Sequence, residues 1–135
     1  MSNHMDYDDY NHNQAERDAW LGLQDATWRP GGIIRFDGLP ASRMELLITE
    51  KFLDPEDAQN DAPSAGEFLE FMQKHPGSMA HGYAVNLDRT DYRISIEGIS
   101  VASEYITRQC MVDFVEMCRH ADEFTIDGQL FCWFD

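Results

Sequence analysis

Several features that mark common protein classes are scarce or missing in this sequence of 135 residues. The three cysteines contain no CxxC pair, and their odd number argues against both a disulfide framework and a zinc knuckle. No apolar run has transmembrane length, and no segment has the basic start and apolar middle of a signal peptide. These absences predict a protein of the reducing cytoplasm.

Positive charge is also scarce, because ten Lys and Arg residues face twenty-five Asp and Glu residues, for a net charge of −15. Such a charge repels nucleic-acid phosphates and anionic membranes, so we expect neither as a partner. Negative charge of this size attracts a basic protein toward this one. The alternative is that the charge serves only solubility, since net charge affects solubility and association rather than fold.

Motifs of known enzymes and cofactor sites are missing as well. The sequence contains no GxSxG, HExxH, P-loop or GxGxxG pattern, so no cofactor and no catalytic residue is predicted. Asp54, Asp57 and Asp61 are three and four residues apart without the glycine of a calcium loop, so no metal site is predicted. A catalytic pair of His81 and Cys132 on neighbouring strands remains a weaker hypothesis.

Three amphipathic helices are expected. Ser42 with Glu45, and Ser64 with Glu67, fit capping boxes at the starts of two of them. A third helix is expected over residues 107–121, where apolar side chains recur at helical spacing. Its buried stripe is predicted to contain Cys110, Met111, Phe114, Val115 and Cys118.

Strand patterns account for much of the remaining sequence. A strand is predicted at 31–36, a hairpin at 79–99, and a second hairpin at 123–135. Asp127-Gly128 lies between the arms of the second hairpin and favours a type I′ turn. Hairpins combined with one-sided helices predict an α+β fold. The expected architecture is a two-layer sandwich of about five mostly antiparallel strands, with the three main helices packed on one face.

The polar N-terminus has a different composition. Residues 1–13 lack apolar periodicity and are predicted to form a disordered or loosely docked tail. Residues 14–135 are predicted to form a single α+β domain. That domain is expected to begin with a short helix that turns Ala15 and Ala19 inward.

The segment 52–71 contains six carboxylates and no Lys or Arg. Two of them have structural explanations, since Glu67 belongs to the second capping box and Asp54 is placed to cap a turn. The remaining candidates for binding a partner are Asp57, Asp61 and Glu70, which are predicted to be solvated.

The last strand is apolar on both faces. Phe131 and Trp133 alternate with Leu130, Cys132 and Phe134, so a two-layer fold leaves one of the two sets on the open face of the sheet. Aromatic side chains on an exposed patch are typical binding hot spots. Phe131 and Trp133 are therefore candidate partner-binding residues. In the alternative, an N-terminal segment that contains Trp20 and Trp28 covers this face as a lid.

These observations favour a small acidic protein–protein interaction module, such as an inhibitor or immunity-type protein, that binds a basic protein partner. In this hypothesis the acids accelerate association and a nearby aromatic anchor supplies affinity. The alternatives are an enzyme of unrecognised type and a ligand-binding or structural homo-oligomer.

Overall fold

The computed structural model describes residues 5–58 and 61–135. Four α-helices lie at Gln14–Leu21 (α1), Ala41–Thr49 (α2), Ala65–Lys74 (α3) and Arg108–Met117 (α4). Five strands lie at Ile33–Pro40 (β1), Ser78–Val85 (β2), Ile94–Ala102 (β3), Glu123–Ile126 (β4) and Gln129–Trp133 (β5). Short 3-10 turns lie at Tyr7–Asp9 and Ser103–Tyr105.

The five strands form one antiparallel sheet in the order β1-β2-β3-β5-β4. Buried apolar side chains of α2, α3 and α4 share a single core with those of the sheet. The helices contribute Met44, Leu47, Phe68, Phe71, Met72, Cys110 and Phe114, and the sheet contributes Phe36, Ile94, Ile96, Ile99, Val101, Leu130 and Cys132. This arrangement confirms the predicted α+β fold. None of the described helices is long and apolar enough to cross a membrane.

One of the two predicted capping boxes is present. Ser64 Oγ accepts a hydrogen bond from the Glu67 backbone at 3.2 Å, and Glu67 Oε1 accepts one from the Ser64 backbone at 3.0 Å. The box predicted for Ser42 is wrong, because α2 begins at Ala41 directly after β1. Ser42 therefore lies inside the first turn of the helix, where it is not the cap residue.

The faces of two helices differ from the prediction. In α1, Ala15 and Ala19 are exposed and Arg17 is buried. In α4, Met111 and Val115 are exposed, whereas Cys110, Phe114 and Cys118 are buried. A helix that touches a sheet along one narrow line buries about one residue per turn, so the outer part of a wide apolar stripe remains in solvent.

The C-terminal hairpin is present, but its turn is not the predicted one. Ile126 pairs with Leu130, so three residues form the loop. Gly128 has a φ of +96°, and Asp127 does not adopt a positive φ. A type I′ turn needs positive φ at both central positions, so the structure excludes it.

The predicted tail makes defined contacts from Met5 onward. The Met5 amide donates to Asp54 Oδ2 at 2.9 Å, and Tyr92 Oη donates to the Asn11 carbonyl at 2.8 Å. Residues 1–4 of the predicted tail lie outside the described residues.

Candidate functional site

The five predicted partner-binding residues do not form one site. Asp61 and Glu70 line a groove beside α3 and α4, and Asp57 lines a different groove near the N-terminus. Phe131 and Trp133 lie on the open face of the sheet, on the side opposite α3 and α4. The expectation of an aromatic anchor close to the acids is therefore wrong.

The groove beside α3 and α4, here called the acidic groove, carries a strong excess of negative charge. Its carboxylates are Asp61, Glu67, Glu70, Asp113 and Glu116, and its cations are Lys74 and Arg119. Acids of α3 and α4 line the same groove, so their negative potentials add there. The sequence pattern indicated only the acids that precede or lie in α3.

One carboxylate of the acidic groove is already neutralised. Asp113 Oδ2 lies 2.7 Å from His75 Nε2 and 3.0 Å from Lys74 Nζ, and its Oδ1 accepts from Gln109 Nε2 at 2.9 Å. The hydrogen bonds from His75, Lys74 and Gln109 lower the pKa of Asp113 from 3.8 to about 2. Lys74 thus pairs with Asp113, and the charges of this pair largely compensate each other.

Three of the other acids of this groove, Asp61, Glu70 and Glu116, are weakly paired. Glu116 meets only Arg119, at 3.7 Å between Oε1 and Nη1, and both side chains are exposed. Within residues 5–58 and 61–135, neither Asp61 nor Glu70 has an ion pair or a side-chain hydrogen bond, and both are exposed. Exposed and unpaired carboxylates act at long range and are screened by salt.

An exposed apolar stripe adjoins the acidic groove on α4. Met111, Val112 and Val115 form it, and Asp113 and Glu116 lie on the same helix between it and the groove. The helical spacing of apolar residues had predicted that Met111 and Val115 are buried. Apolar residues left exposed beside charged ones are typical of a surface that binds another protein.

Asp57 is not the solvated residue predicted from the sequence. It is half-buried, and its carbonyl accepts a hydrogen bond from the Ala65 amide at 2.8 Å. Burial, Asp54 and Asp57 together raise the pKa of Tyr10. The prediction that Asp54 caps a turn is confirmed, because its Oδ1 accepts from the Glu56 amide at 2.9 Å. Asp57 therefore belongs with the contacts that hold the N-terminal segment.

A β-bulge shapes the open face of the sheet. His81 pairs with Gly98 and Gly82 pairs with Ile96, which leaves Glu97 as an extra residue in β3. A bulge of this kind redirects side chains, and here it brings Glu97 onto the open face. A Cβ on Gly98 would overlap the Cys132 carbonyl oxygen, so this close approach requires glycine. A glycine within an apolar strand is the sequence signal for such a bulge.

The carboxylate of Glu97 is held from two sides. One oxygen pairs with Arg35 Nη1, and the other accepts from Trp133 Nε1 at 3.1 Å. The Glu97 side chain is only 4% exposed, whereas that of Arg35 is 67% exposed. No local pattern in the sequence indicates a role for Arg35 or Glu97, because only the bulge and the sheet pairing bring them together.

The hypothesis of a catalytic pair formed by His81 and Cys132 is wrong. Strand β3 lies between their strands, and the Cys132 side chain is in the core against Cys118. His81 instead stacks on Phe131 on the open face, with ring centroids 5.0 Å apart. Burial lowers the pKa of His81, although the Cys132 carbonyl and Glu97 oppose that shift.

The structure does not support the interpretation of Trp20 and Trp28 as a lid. The Trp20 ring meets Phe52 edge-on at 5.7 Å, and Trp28 Nε1 donates to Asp18 Oδ2 at 2.7 Å. Trp20 forms one wall of the groove on the open face, and it leaves Phe131 accessible from that groove.

No group of three His, Cys, Asp or Glu side chains within the described residues is arranged to hold a metal ion. Comparisons of the chain with protein-family models, curated proteins and solved structures found no match.

Proposed function

We propose that this protein is a small acidic interaction module that binds a basic protein partner at the acidic groove. The observation that supports this proposal is the imbalance of charge there, where five carboxylates face two cations. Such a field accelerates encounter with a cationic surface.

The exposed stripe beside this groove defines the partner further. Met111, Val112 and Val115 offer apolar area next to Glu116. A segment that combines Lys or Arg with apolar side chains complements both features. Charge attraction then determines how fast the partner arrives, and desolvation of the stripe contributes to how long it stays.

A module of this kind acts by covering a cationic surface of its partner, as an inhibitor or immunity-type protein does. Phe131 and Trp133 lie on the far side of the sheet, so a segment bound in the acidic groove does not contact them. The anchor predicted from the sequence is therefore replaced by the stripe on α4.

A charge-reversal experiment tests this proposal. One variant combines Asp61→Lys, Glu70→Lys and Glu116→Lys within the groove. A control variant combines Asp25→Lys, Glu50→Lys and Glu104→Lys, which are exposed acids outside it. Both variants change the net charge equally, so any difference in their partner binding depends on where the reversed charges lie. Crosslinked capture from the cells that express the protein, at about 50 and 500 mM salt, then identifies basic partners.

We expect the wild type and the control variant to capture the same basic protein at low salt. The groove variant should lose it, and its association rate with the purified partner should fall about tenfold or more. Equal association by the two variants would contradict the proposal, because only total charge would then matter. Capture of a second copy of this chain alone, with a dimer mass in solution, would favour the homo-oligomer instead.

A further inference from the structure

A second groove lies on the open face of the sheet, and it encloses about 700 Å³. Residues from α1, α2 and all five strands line it, among them Trp20, Arg35, Arg43, Phe131 and Trp133. It contains aromatic side chains and guanidinium groups together. This open-face groove is separate from the acidic groove, because no residue lines both.

The guanidinium of Arg35 is held in a fixed place in this groove. Glu97 binds one of its nitrogens and is itself fixed by the indole of Trp133 at 3.1 Å. Each oxygen of Glu97 therefore accepts one hydrogen bond within the protein. Within the described residues, the other two guanidinium nitrogens of Arg35 have no hydrogen-bond partner, and its side chain is largely exposed. A buried carboxylate that orients an arginine in this way presents the free edge of the guanidinium to an anion.

Arg43 adds a second positive charge to the same groove. It is exposed and, among the described residues, makes no ion pair. Asp37, Glu97 and Glu123 also line the groove, so three carboxylates face the two arginines, and this balance disfavours a polyanion such as a nucleoside triphosphate. A ligand with one negative charge matches a held arginine better. The aromatic walls favour a planar apolar group beside that charge.

We propose that the open-face groove binds a small aromatic monocarboxylate. Its carboxylate pairs with the free edge of Arg35, and Arg43 adds positive potential. Its ring packs against Trp20, Phe131 and Trp133. This inference is independent of the basic partner, since it uses different residues on the other side of the sheet.

Nuclear magnetic resonance tests the proposal with three probes of the same shape. Phenylacetate carries the negative charge, phenylacetamide is neutral, and phenethylamine carries a positive charge. The indole N–H signals of Trp20, Trp28 and Trp133 serve as reporters, assigned by Trp→Phe variants. Trp28 is the internal control, because it lies outside the groove and donates to Asp18. Phenylacetate should shift the Trp20 and Trp133 signals in a saturable manner and leave that of Trp28 unchanged.

Two arginine variants then test which guanidinium groups contribute to binding of the carboxylate. Arg35→Gln and Arg43→Gln should each weaken phenylacetate binding about fivefold or more, with little effect on phenylacetamide. Arg43→Gln leaves Glu97 paired, so it remains informative even if Arg35→Gln unfolds the protein. Arg119→Gln, in the acidic groove, is the matched control and should bind phenylacetate as the wild type does.

Several results would overturn the proposal. One is tighter binding of phenethylamine than of phenylacetate, which would make the groove a cation site. A second is equal binding of all three probes, which would indicate apolar contact without recognition of charge. A third is no saturable shift of the Trp20 and Trp133 signals by any probe.

Discussion

The acidic groove and the open-face groove are both lined by charged side chains, but two carboxylates of the first are exposed and unpaired within the described part of the chain, whereas Glu97 of the second is buried and paired. Asp61 and Glu70 extend into solvent without partners among the described residues. Glu97 is buried at a bulge and bonded to Arg35 and Trp133. Free surface charges act over about 10 Å and weaken with salt, whereas a fixed ion pair acts at contact distance. One surface therefore suits fast encounter with a macromolecule, and the other suits a small ligand of defined shape.

This difference predicts that the open face tolerates substitution poorly. Gly98→Ala should lower the free energy of unfolding by about 3 kcal/mol, because the new Cβ overlaps the Cys132 carbonyl and the backbone must shift. Urea denaturation measures this loss. Ser100→Ala, on the same strand, is the control and should change stability by less than about 0.5 kcal/mol. Equal losses in the two variants would mean that the strands do not approach closely at Gly98.

The same substitution in both grooves sharpens the comparison. Glu97→Ala should lower the free energy of unfolding by about 2 kcal/mol, because it leaves the half-buried indole N–H of Trp133 without its acceptor. Glu70→Ala should lower it by less than about 0.5 kcal/mol, because that side chain is exposed. Thermal unfolding of the two variants side by side gives both values. A larger loss for Glu70→Ala would reverse the distinction between the grooves.

The pH dependence of stability should contain a contribution from the open face. Burial keeps the pKa of folded His81 below its ordinary 6.5, so the unfolded chain takes up a proton first as the pH falls. Stability should therefore decrease as the pH falls from about 7 to 5, and His81→Gln should reduce that decrease. Equal decreases in the wild type and in His81→Gln would contradict this expectation.

The smallest effect is expected from Asp113 in the acidic groove. Hydrogen bonds from His75, Lys74 and Gln109 lower its folded pKa from 3.8 to about 2. Its stabilising contribution is thus present above about pH 4 and is lost between about pH 4 and pH 2. A carbon-13 titration of the carboxylate should show the low pKa, and Asp113→Asn should remove this part of the acid transition. A carboxylate that titrates near 3.8 would show that these hydrogen bonds are not maintained in solution.

Much of the fold follows from local patterns in the sequence. Alternation of apolar residues predicted both hairpins, and the Ser64–Glu67 box located the start of α3 to the residue. The same kind of reasoning assigned Phe131 and Trp133 to one face of the last strand, which is confirmed because both line the open-face groove while Leu130, Cys132 and Phe134 lie in the core. These features depend on neighbours in the chain, so a single sequence contains them.

The missed features depend on partners that are distant in the chain. Arg35 and Glu97 are 62 positions apart, and no local pattern predicts their contact. Arg17 is buried although it is charged, because Val85 accepts its hydrogen bond at 2.8 Å and the Tyr92 ring lies 4.7 Å from its guanidinium carbon. Helical periodicity instead turned Ala15 and Ala19 inward. The interacting groups come from different elements, and only the tertiary fold brings them together.

The burial of Arg17 has a consequence for the order in which the chain assembles. One of its hydrogen-bond acceptors, the Val85 carbonyl, lies 68 residues later, at the end of β2, whereas the other, the Asp18 carboxylate, is its immediate neighbour, with Nε and Oδ1 3.1 Å apart. During synthesis, α1 leaves the ribosome before β2, so Arg17 can pair with Asp18, but its Nη1 lacks the Val85 carbonyl until that strand has emerged. A helix of eight residues is marginal on its own in water. Helix α1 therefore docks in its final place only when the sheet that receives it is present.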